Sequence, residues 1–167
     1  TAATRPCRPT PADMKATPTT VATIRRLGKP NGTLIAEQFI AVQGDDTAAF
    51  ADTIFNAGTI TGAAGFSAID LRAGDDTLTL GTGSVINGTI DGGAGAVDLV
   101  TFVGMGSEDD VFVNFENAVM NGVDWSLSSI STFGNQIQIN QGRLAIDGII
   151  TATNGTSILA PGILGGT

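Results

Sequence analysis

Carboxylates are the side chains of this chain that could do chemistry. The sequence contains 16 Asp and Glu residues, one cysteine and no histidine. Without histidine, Ser-His-Asp and Cys-His catalysis are excluded in their usual form, as are zinc sites built on imidazole. The chain also has no P-loop and no GxGxxG motif after a strand. Hydrolysis of glycosides by two acids is the enzymatic chemistry that remains.

Three pairs of adjacent acids are the candidates for such a reaction: Asp45/Asp46, Asp75/Asp76 and Asp109/Asp110. Neighbours in a strand point to opposite faces of the sheet, so they are poor acid–base partners. This pattern favours turn residues with solvated carboxylates. The sequence therefore predicts that the protein is not an enzyme and has no catalytic residues.

Calcium binding is the second chemistry that the acids could support, because calcium prefers carboxylates and backbone carbonyls in turns. The segment Gly74–Leu78 matches the second half of the nonapeptide calcium repeat of RTX proteins, G-G-x-G-x-D-x-U-x, but Leu71 and Arg72 replace its paired glycines. The segment Gly92–Leu99 matches only with one inserted residue, and tandem copies are absent. If calcium binds, we expect Asp75, Asp76 and Asp98 to be its ligands.

The charges of the chain are divided unevenly along its length. Six of the eight Lys and Arg residues lie in the first thirty positions, whereas residues 31–167 hold two arginines, fifteen acids and a formal charge of −13. Such a surface repels phosphate backbones, so we expect no nucleic-acid partner. No apolar run reaches the length of a membrane span, so we also expect none in this chain.

Residues 1–30 differ in composition from the rest of the chain. They hold five of the six prolines and the single cysteine, Cys7, which has no internal partner for a disulfide. This composition predicts a disordered or extended tail or linker. A short basic contact for an acidic partner is the alternative for these residues.

Two sequence matches recur at one offset of thirty residues. QGDDT at 43–47 returns as AGDDT at 73–77, and GTITG at 58–62 returns as GTIDG at 88–92. Periods of 20 to 50 residues are typical of solenoids, propellers and arrays. In a solenoid, the offset would correspond to one wide coil or to two smaller ones.

The strands predicted within this repeat are short. Apolar or β-branched pieces of a few residues alternate with Asn, Asp and Gly turns; the pieces are 68–71, 77–80, 84–86 and 89–90. Longer alternating strands follow at 111–115, 136–140 and 143–147. Short strands that are each followed by a turn favour the triangular coil of a parallel β-helix over a sandwich.

The interior of such a coil can be predicted from the same alternation. We expect Trp125 to lie in the core or to cap a coil end rather than to form a binding platform. Six aliphatic residues should point inward and stack between coils: Ile137, Ile139, Leu144, Ile146, Ile149 and Ile158.

Asn-Gly-Thr sequences at Asn31, Asn87 and Asn154 fit the glycosylation signal, but Asn-Gly is also a common turn pair, and the turn interpretation is favoured.

Two segments resemble a known family. AIDLRAGDDTLTLGTGSVINGTIDGGAG, residues 68–95, resembles the passenger domains of bacterial autotransporters, and GNQIQINQGRLAIDGIITATNGTSILAPG, residues 134–162, resembles the autotransporter-associated β-strand repeat. The resemblance covers residues 38–167, and residues 1–30 do not share it. It implies a right-handed β-helix outside the cell, normally followed by a β-barrel translocator in the outer membrane, which this chain does not contain.

Taken together, these patterns predict an all-β protein: a right-handed parallel β-helix fragment over residues 31–167 behind an N-terminal tail, residues 1–30. The expected function is that of a structural or adhesive passenger segment, extracellular or on the bacterial surface, with a host or cell-surface protein or glycan as partner and no cofactor. A calcium-stabilised, RTX-like β-roll is the alternative, and a polysaccharide-acting β-helix enzyme is a further one.

Overall fold

The computed structural model describes residues 33–35, 42–44, 50–159 and 161–166. These residues contain no helix and form eighteen short strands. The tail predicted for residues 1–30, and with it Cys7 and Asn31, lies outside the described residues. The strands are β1 (Thr33–Ile35), β2 (Val42–Gln43), β3 (Thr53–Asn56), β4 (Thr59–Thr61), β5 (Ile69–Asp70), β6 (Thr77–Leu80), β7 (Val85–Asn87), β8 (Ile90–Asp91), β9 (Leu99–Phe102), β10 (Met105–Glu108), β11 (Phe112–Val113), β12 (Phe115–Met120), β13 (Asp124–Leu127), β14 (Ile130–Ile139), β15 (Arg143–Ile146), β16 (Ile149–Ala152), β17 (Thr156–Ile158) and β18 (Ile163–Gly165).

Each strand pairs in parallel with its equivalent one coil away. The strands form four sheets: β1-β4-β7, β2-β5-β8-β11, β10-β13-β15-β18 and a seven-stranded sheet that runs from β3 through β6, β9, β12 and β14 to β16. Strand β17 pairs with β14 beside this path. A typical coil therefore has three sides, for example β8, β9 and β10. The prediction of an all-β parallel solenoid is confirmed, with about five coils.

The observed coils are shorter than the thirty-residue offset of the two sequence matches. Residues at the same corner of successive coils are 24, 22 and 18 positions apart, and residues in register in the later coils are 19 positions apart. The two matched motifs also occupy different places in the coil, since Gln43 of the first QGDDT pairs with Asp70 and Thr59 of GTITG pairs with Val85. Coil register follows the inward side chains and the corner loops rather than sequence identity.

The core consists of aliphatic ladders that run across the coils. One ladder joins Ile54, Leu78, Val100, Ala118 and Ile137, which occupy one register position in five strands of the large sheet. All five side chains are buried. In each strand, alternate residues point inward, so a parallel register places apolar side chains directly upon one another.

Large aromatic rings fill the middle coils. Phe112 packs at 5.9 Å from Phe102, 6.1 Å from Phe115 and 6.0 Å from Phe133, measured between ring centroids. All four rings are completely buried. Edge-to-face and tilted arrangements at these separations are the favoured geometries of aromatic pairs. The rings thus link successive coils through the interior.

Trp125, on strand β13, is a further member of this aromatic cluster. Its ring lies 5.2 Å from that of Phe102, and its Nε1 donates a hydrogen bond of 3.2 Å to the Val103 carbonyl. The facing residue one coil earlier is Gly106, where a Cβ would lie 2.7 Å from Trp125 Cη2. Glycine at position 106 therefore makes room for the indole. The prediction that Trp125 is a core residue is confirmed.

The predicted inward ladder holds for most of its members. Ile137, Ile139 and Leu144 are buried, and Ile146 packs against them. The prediction is wrong for Ile149, which is 60% exposed and stacks on the exposed Ile130, while its neighbour Ile150 packs on the core. The error arises because side chains alternate between the inward and outward faces of a strand, so a shift of one residue exchanges the two sets.

Ile158 occupies an inward register position but remains exposed. It pairs with the buried Ile139, yet 48% of its surface is accessible. Its strand β17 belongs to the last described coil, so nothing in the described residues covers its far side. Burial in a solenoid requires a coil on both sides, and an inward direction alone is not sufficient.

Candidate functional site

A row of acids runs along one corner of the solenoid. We call Asp52, Asp76, Asp98 and Glu116 the carboxylate ladder. The backbone N–H of Asp52 donates to Asp76 Oδ1 at 2.6 Å, that of Asp76 to Asp98 Oδ1 at 2.7 Å, and that of Asp98 to Glu116 Oε2 at 2.6 Å. The side chains of Asp76, Asp98 and Glu116 therefore each satisfy a backbone donor of the preceding coil, where the corner loop interrupts the sheet.

Three of the four ladder residues are buried although they are acids, and Glu116 is half-buried. Asp76 and Asp98 are completely buried, and Asp52 is 8% exposed. Burial raises the pKa of Asp98 to about 6; the N–H of Asp76 lowers it, and the nearby charges of Glu116, Asp76 and Asp75 raise it further. Asp98 Oδ2 has no hydrogen-bond partner. A carboxylate that is buried with one unsatisfied oxygen carries a free-energy penalty when ionised.

Glycines beside the ladder give the carboxylates their space. A Cβ at Gly95 would lie 2.6 Å from Asp98 Oδ2, and one at Gly74 would lie 3.0 Å from Asp76 Oδ1. The glycine-acid motifs in the sequence are thus explained by packing at this corner.

The three predicted calcium ligands lie at this corner, but among the described residues their carboxylate oxygens do not form a group within 4.8 Å of one another. Asp76 and Asp98 belong to the carboxylate ladder, and the exposed Asp75 accepts hydrogen bonds from the N–H groups of Ala96 at 2.9 Å and Val97 at 3.1 Å. All three carboxylates therefore already join one coil to another. The expectation of a solvated turn residue is wrong for Asp76, because its side chain is fully buried.

Sequence analysis missed Asp52 and Glu116 as members of the ladder. A signal for Asp52 is present, since Asp-Thr precedes a strand both at 52–53 and at 76–77. Glu116 carries no such signal because it lies inside β12 and its longer side chain takes the place of an aspartate. Only the register of the coils identifies it.

The other acidic pairs have different outcomes. Asp45 and Asp46 lie outside the described residues. Asp109 is exposed and Asp110 half-buried, and both follow a third acid, Glu108, which was not singled out in the sequence. Glu108 ends strand β10 and points inward, in register with the buried Leu127.

Glu108 is a buried acid with few polar contacts. It is 2% exposed, its Oε1 accepts a hydrogen bond of 3.3 Å from the Asp110 N–H, and its Oε2 has no hydrogen-bond partner. Burial raises the pKa of Glu108 to about 8; the N–H of Asp110 lowers it, and the charges of Asp110 and Asp109 raise it. One ligand oxygen from each of the three carboxylates lies within 4.8 Å of the others.

Amide side chains form a second row along the outside of the coils. Asn154 Nδ2 donates to Asn135 Oδ1 at 2.5 Å, and Asn135 Nδ2 donates to Asn117 Oδ1 at 2.8 Å. A parallel pair joins Asn140 to Asn121 at 2.8 Å. Asn135 both donates and accepts, so its amide joins the coils on either side of its own.

Two of the three Asn-Gly-Thr sequences lie in the described residues. Asn154 sits in a turn, and Gly155 has φ +81°, the left-handed conformation that glycine favours. Asn87 ends β7, donates to Thr61 Oγ1 at 2.9 Å and precedes Gly88 with φ +123°. Both asparagines therefore have structural roles at turns, as the turn interpretation predicts.

The outer face of the large sheet carries a shallow depression of about 190 Å³. Its lining is uncharged although residues 31–167 are strongly acidic. Amide and aliphatic side chains alternate in it, from strands β9, β12 and β14 and the loop before β9. The side chains at its wall are Val97, Leu99, Asn117, Val119, Gln136 and Gln138.

Comparison with known proteins leaves the family undetermined. No protein-family model, no curated protein and no solved structure matches the chain. In the part of the chain that the structure describes, no helix has both the length and the apolar character needed to cross a membrane.

Proposed function

We propose that the chain is a structural and adhesive passenger segment of an autotransporter-like protein, surface-displayed or secreted by a bacterium, and that it is not an enzyme. The observation that carries this proposal is the stacking of about five parallel coils, each joined to the next by side-chain hydrogen bonds. The resemblance of residues 68–95 and 134–162 to passenger sequences supports the same assignment.

The proposed mechanism is mechanical. Coils that stack about 4.8 Å apart form a rod, and its stability is the sum of contacts between neighbouring coils. The carboxylate ladder satisfies backbone donors at one corner, and the row of asparagines adds side-chain hydrogen bonds between coils. Such a rod holds surface residues at fixed positions away from the cell.

The depression on the large sheet is the surface that we propose for adhesion. Its amides can exchange hydrogen bonds with hydroxyl or peptide groups, and its aliphatic side chains supply apolar contact. An uncharged patch on an acidic surface also avoids repelling the anionic coat of other cells. The proposed partner is a host or cell-surface protein or glycan.

The test measures adhesion with one matched pair of variants. The labelled full chain is applied to a glycan array and to epithelial cells, beside Gln136→Arg in the depression and Ser128→Arg on an exposed loop. We expect saturable binding that Gln136→Arg abolishes and Ser128→Arg retains. Equal binding by both variants would refute the adhesive surface, and release of reducing sugar from a polysaccharide would instead favour the β-helix enzyme.

A calcium-stabilised β-roll is the second candidate. It is favoured by the unpartnered Asp98 Oδ2 and by the position of Asp75, Asp76 and Asp98 at the same corner. Far-UV circular dichroism with calcium and then with excess chelator separates the candidates. An unchanged β spectrum supports the metal-free passenger, whereas loss of the spectrum in chelator supports the calcium roll.

A further inference from the structure

Three consecutive acids gather at the end of strand β10. Glu108, Asp109 and Asp110 each present one carboxylate oxygen within 4.8 Å of the other two. Two oxygens that each lie about 2.4 Å from one calcium ion are at most about 4.8 Å apart. The three oxygens therefore stand at separations that a single cation can span.

Glu108 shows that this group is more than a solvated acidic loop. It is 98% buried, and its Oε2 has no hydrogen-bond partner, while Oε1 accepts a hydrogen bond of 3.3 Å from the Asp110 N–H. A buried carboxylate oxygen without a partner forgoes hydration and gains no protein contact in return. A cation at this place would supply the missing partner.

The arrangement of charge around the cluster also favours a cation. The two arginines of residues 31–167 form ion pairs elsewhere, Arg72 with Asp70 and Arg143 with Asp124. Within the cluster, Asp109 and Asp110 act on Glu108 with charges of the same sign. When all three carboxylates are ionised they repel one another, and either a proton on Glu108 or a cation between them relieves this repulsion.

We propose that Glu108, Asp109 and Asp110 bind a hard divalent cation of the calcium type, at a site separate from the carboxylate ladder. Glu108 provides the buried ligand, and the half-buried Asp110 and exposed Asp109 provide the ligands on the solvent side. Water completes the oxygen coordination that calcium requires. Such an ion would secure the loop between β10 and β11, at the corner where those two strands change sheets.

Trp125 is a built-in reporter for this site. It is the single tryptophan of a chain without tyrosine. Gly106 pairs with Trp125, and Glu108 lies two residues further along the same strand, so strand geometry places the Cα atoms of Trp125 and Glu108 about 8 Å apart. Terbium(III) takes the oxygen ligands of calcium and luminesces when a nearby tryptophan is excited.

The experiment titrates terbium into the full chain and its variants with excitation of Trp125. We expect saturable green emission that calcium displaces. Glu108→Gln and Asp109→Asn should each weaken terbium binding by more than about tenfold, because each removes one charged ligand. Asp75→Asn, beside the carboxylate ladder, should leave the titration unchanged, and circular dichroism checks that each variant is folded.

Three results would overturn the proposal. These are absence of sensitised emission, an unchanged titration with Glu108→Gln and Asp109→Asn, and loss of emission with Asp75→Asn, which would place the ion at the ladder. Asp109 is exposed, so its variant keeps the test decisive even if Glu108→Gln fails to fold. None of these results depends on whether the chain is adhesive.

Discussion

Phe112 is the residue whose removal should damage the solenoid most clearly. Its ring is completely buried and touches three other rings, those of Phe102, Phe115 and Phe133, at centroid separations of 5.9, 6.1 and 6.0 Å. Phe112→Ala removes the ring from the centre of this group. Because the partners belong to three adjoining coils, collapse of the surrounding backbone around the cavity is restricted.

The expected loss can be worked out from these contacts. Truncating a buried phenylalanine to alanine costs about 3–5 kcal/mol of unfolding free energy. Aromatic pairs contribute about 0.5–1.5 kcal/mol each beyond area burial. With three such pairs lost and little room for collapse, we expect about 4–5 kcal/mol for Phe112→Ala. Phe55→Ala is the matched control, because 51% of Phe55 is exposed and its truncation should cost about 1 kcal/mol.

Urea unfolding of the three proteins measures the difference. Far-UV circular dichroism follows the strands, and fluorescence of the buried Trp125 follows the interior. The midpoint for Phe112→Ala should fall far below those of Phe55→Ala and the unaltered chain. If Phe112→Ala costs no more than Phe55→Ala, the described stacking of rings between coils is wrong.

Three further predictions concern the polar ladders and the corners. Asp98→Asn keeps an oxygen for the Asp76 N–H but removes a buried charge, so it should raise the unfolding free energy at pH 7 by about 1–2 kcal/mol. The raised pKa of Asp98 means that this carboxyl binds a proton more tightly in the folded chain than in the unfolded chain. The urea midpoint of the unaltered chain, measured in chelator, should therefore fall as the pH rises from about 4 to 6. Asp98→Asn should make this fall smaller. Asn135→Ala breaks two amide hydrogen bonds and should lower the unfolding free energy by about 1–2 kcal/mol. A urea midpoint equal to that of the unaltered chain would contradict a stabilising role for the row of asparagines. Gly93→Ala should lower the unfolding free energy by more than about 2 kcal/mol, because Gly93 has φ +92° and an added Cβ would meet the Arg72 backbone. Gly155→Ala is the control in thermal unfolding: Gly155 has φ +81° but an added Cβ would meet open space, so the loss should be about 1 kcal/mol.

Short-range features of this protein could be read from the sequence. The strand predicted at 77–80 is β6, and the strand predicted at 143–147 contains β15. The burial of Trp125 and the choice of a parallel solenoid over a sandwich were also predicted correctly. These properties depend on residues within a few positions of one another, since β-branched side chains favour strands and Asn, Asp and Gly favour the turns between them.

The site residues show how far such reasoning extends. Asp75, Asp76 and Asp98 were named from a motif, and the structure brings them together at one corner. Asp52 and Glu116 belong to the same corner but could be recognised only after the coils were aligned. In the sequence, Glu108 cannot be distinguished from the two acids that follow it. Its burial results from the pairing of β10 with β13, which places Glu108 in register with the buried Leu127 of the next coil.

The tertiary structure alone decided which coil positions are equivalent. The thirty-residue matches suggested one repeat, whereas the coils repeat after 24, 22, 18 and 19 residues because loops of different length join strands of the same register. The exposure of Ile149 has the same origin, since a strand faces the core according to its pairing and not its composition. The sequence by itself determined the strands, the turns and the solenoid class through local preference, while register and burial arose from contacts about twenty residues away, whose free energy depends on how neighbouring coils stack.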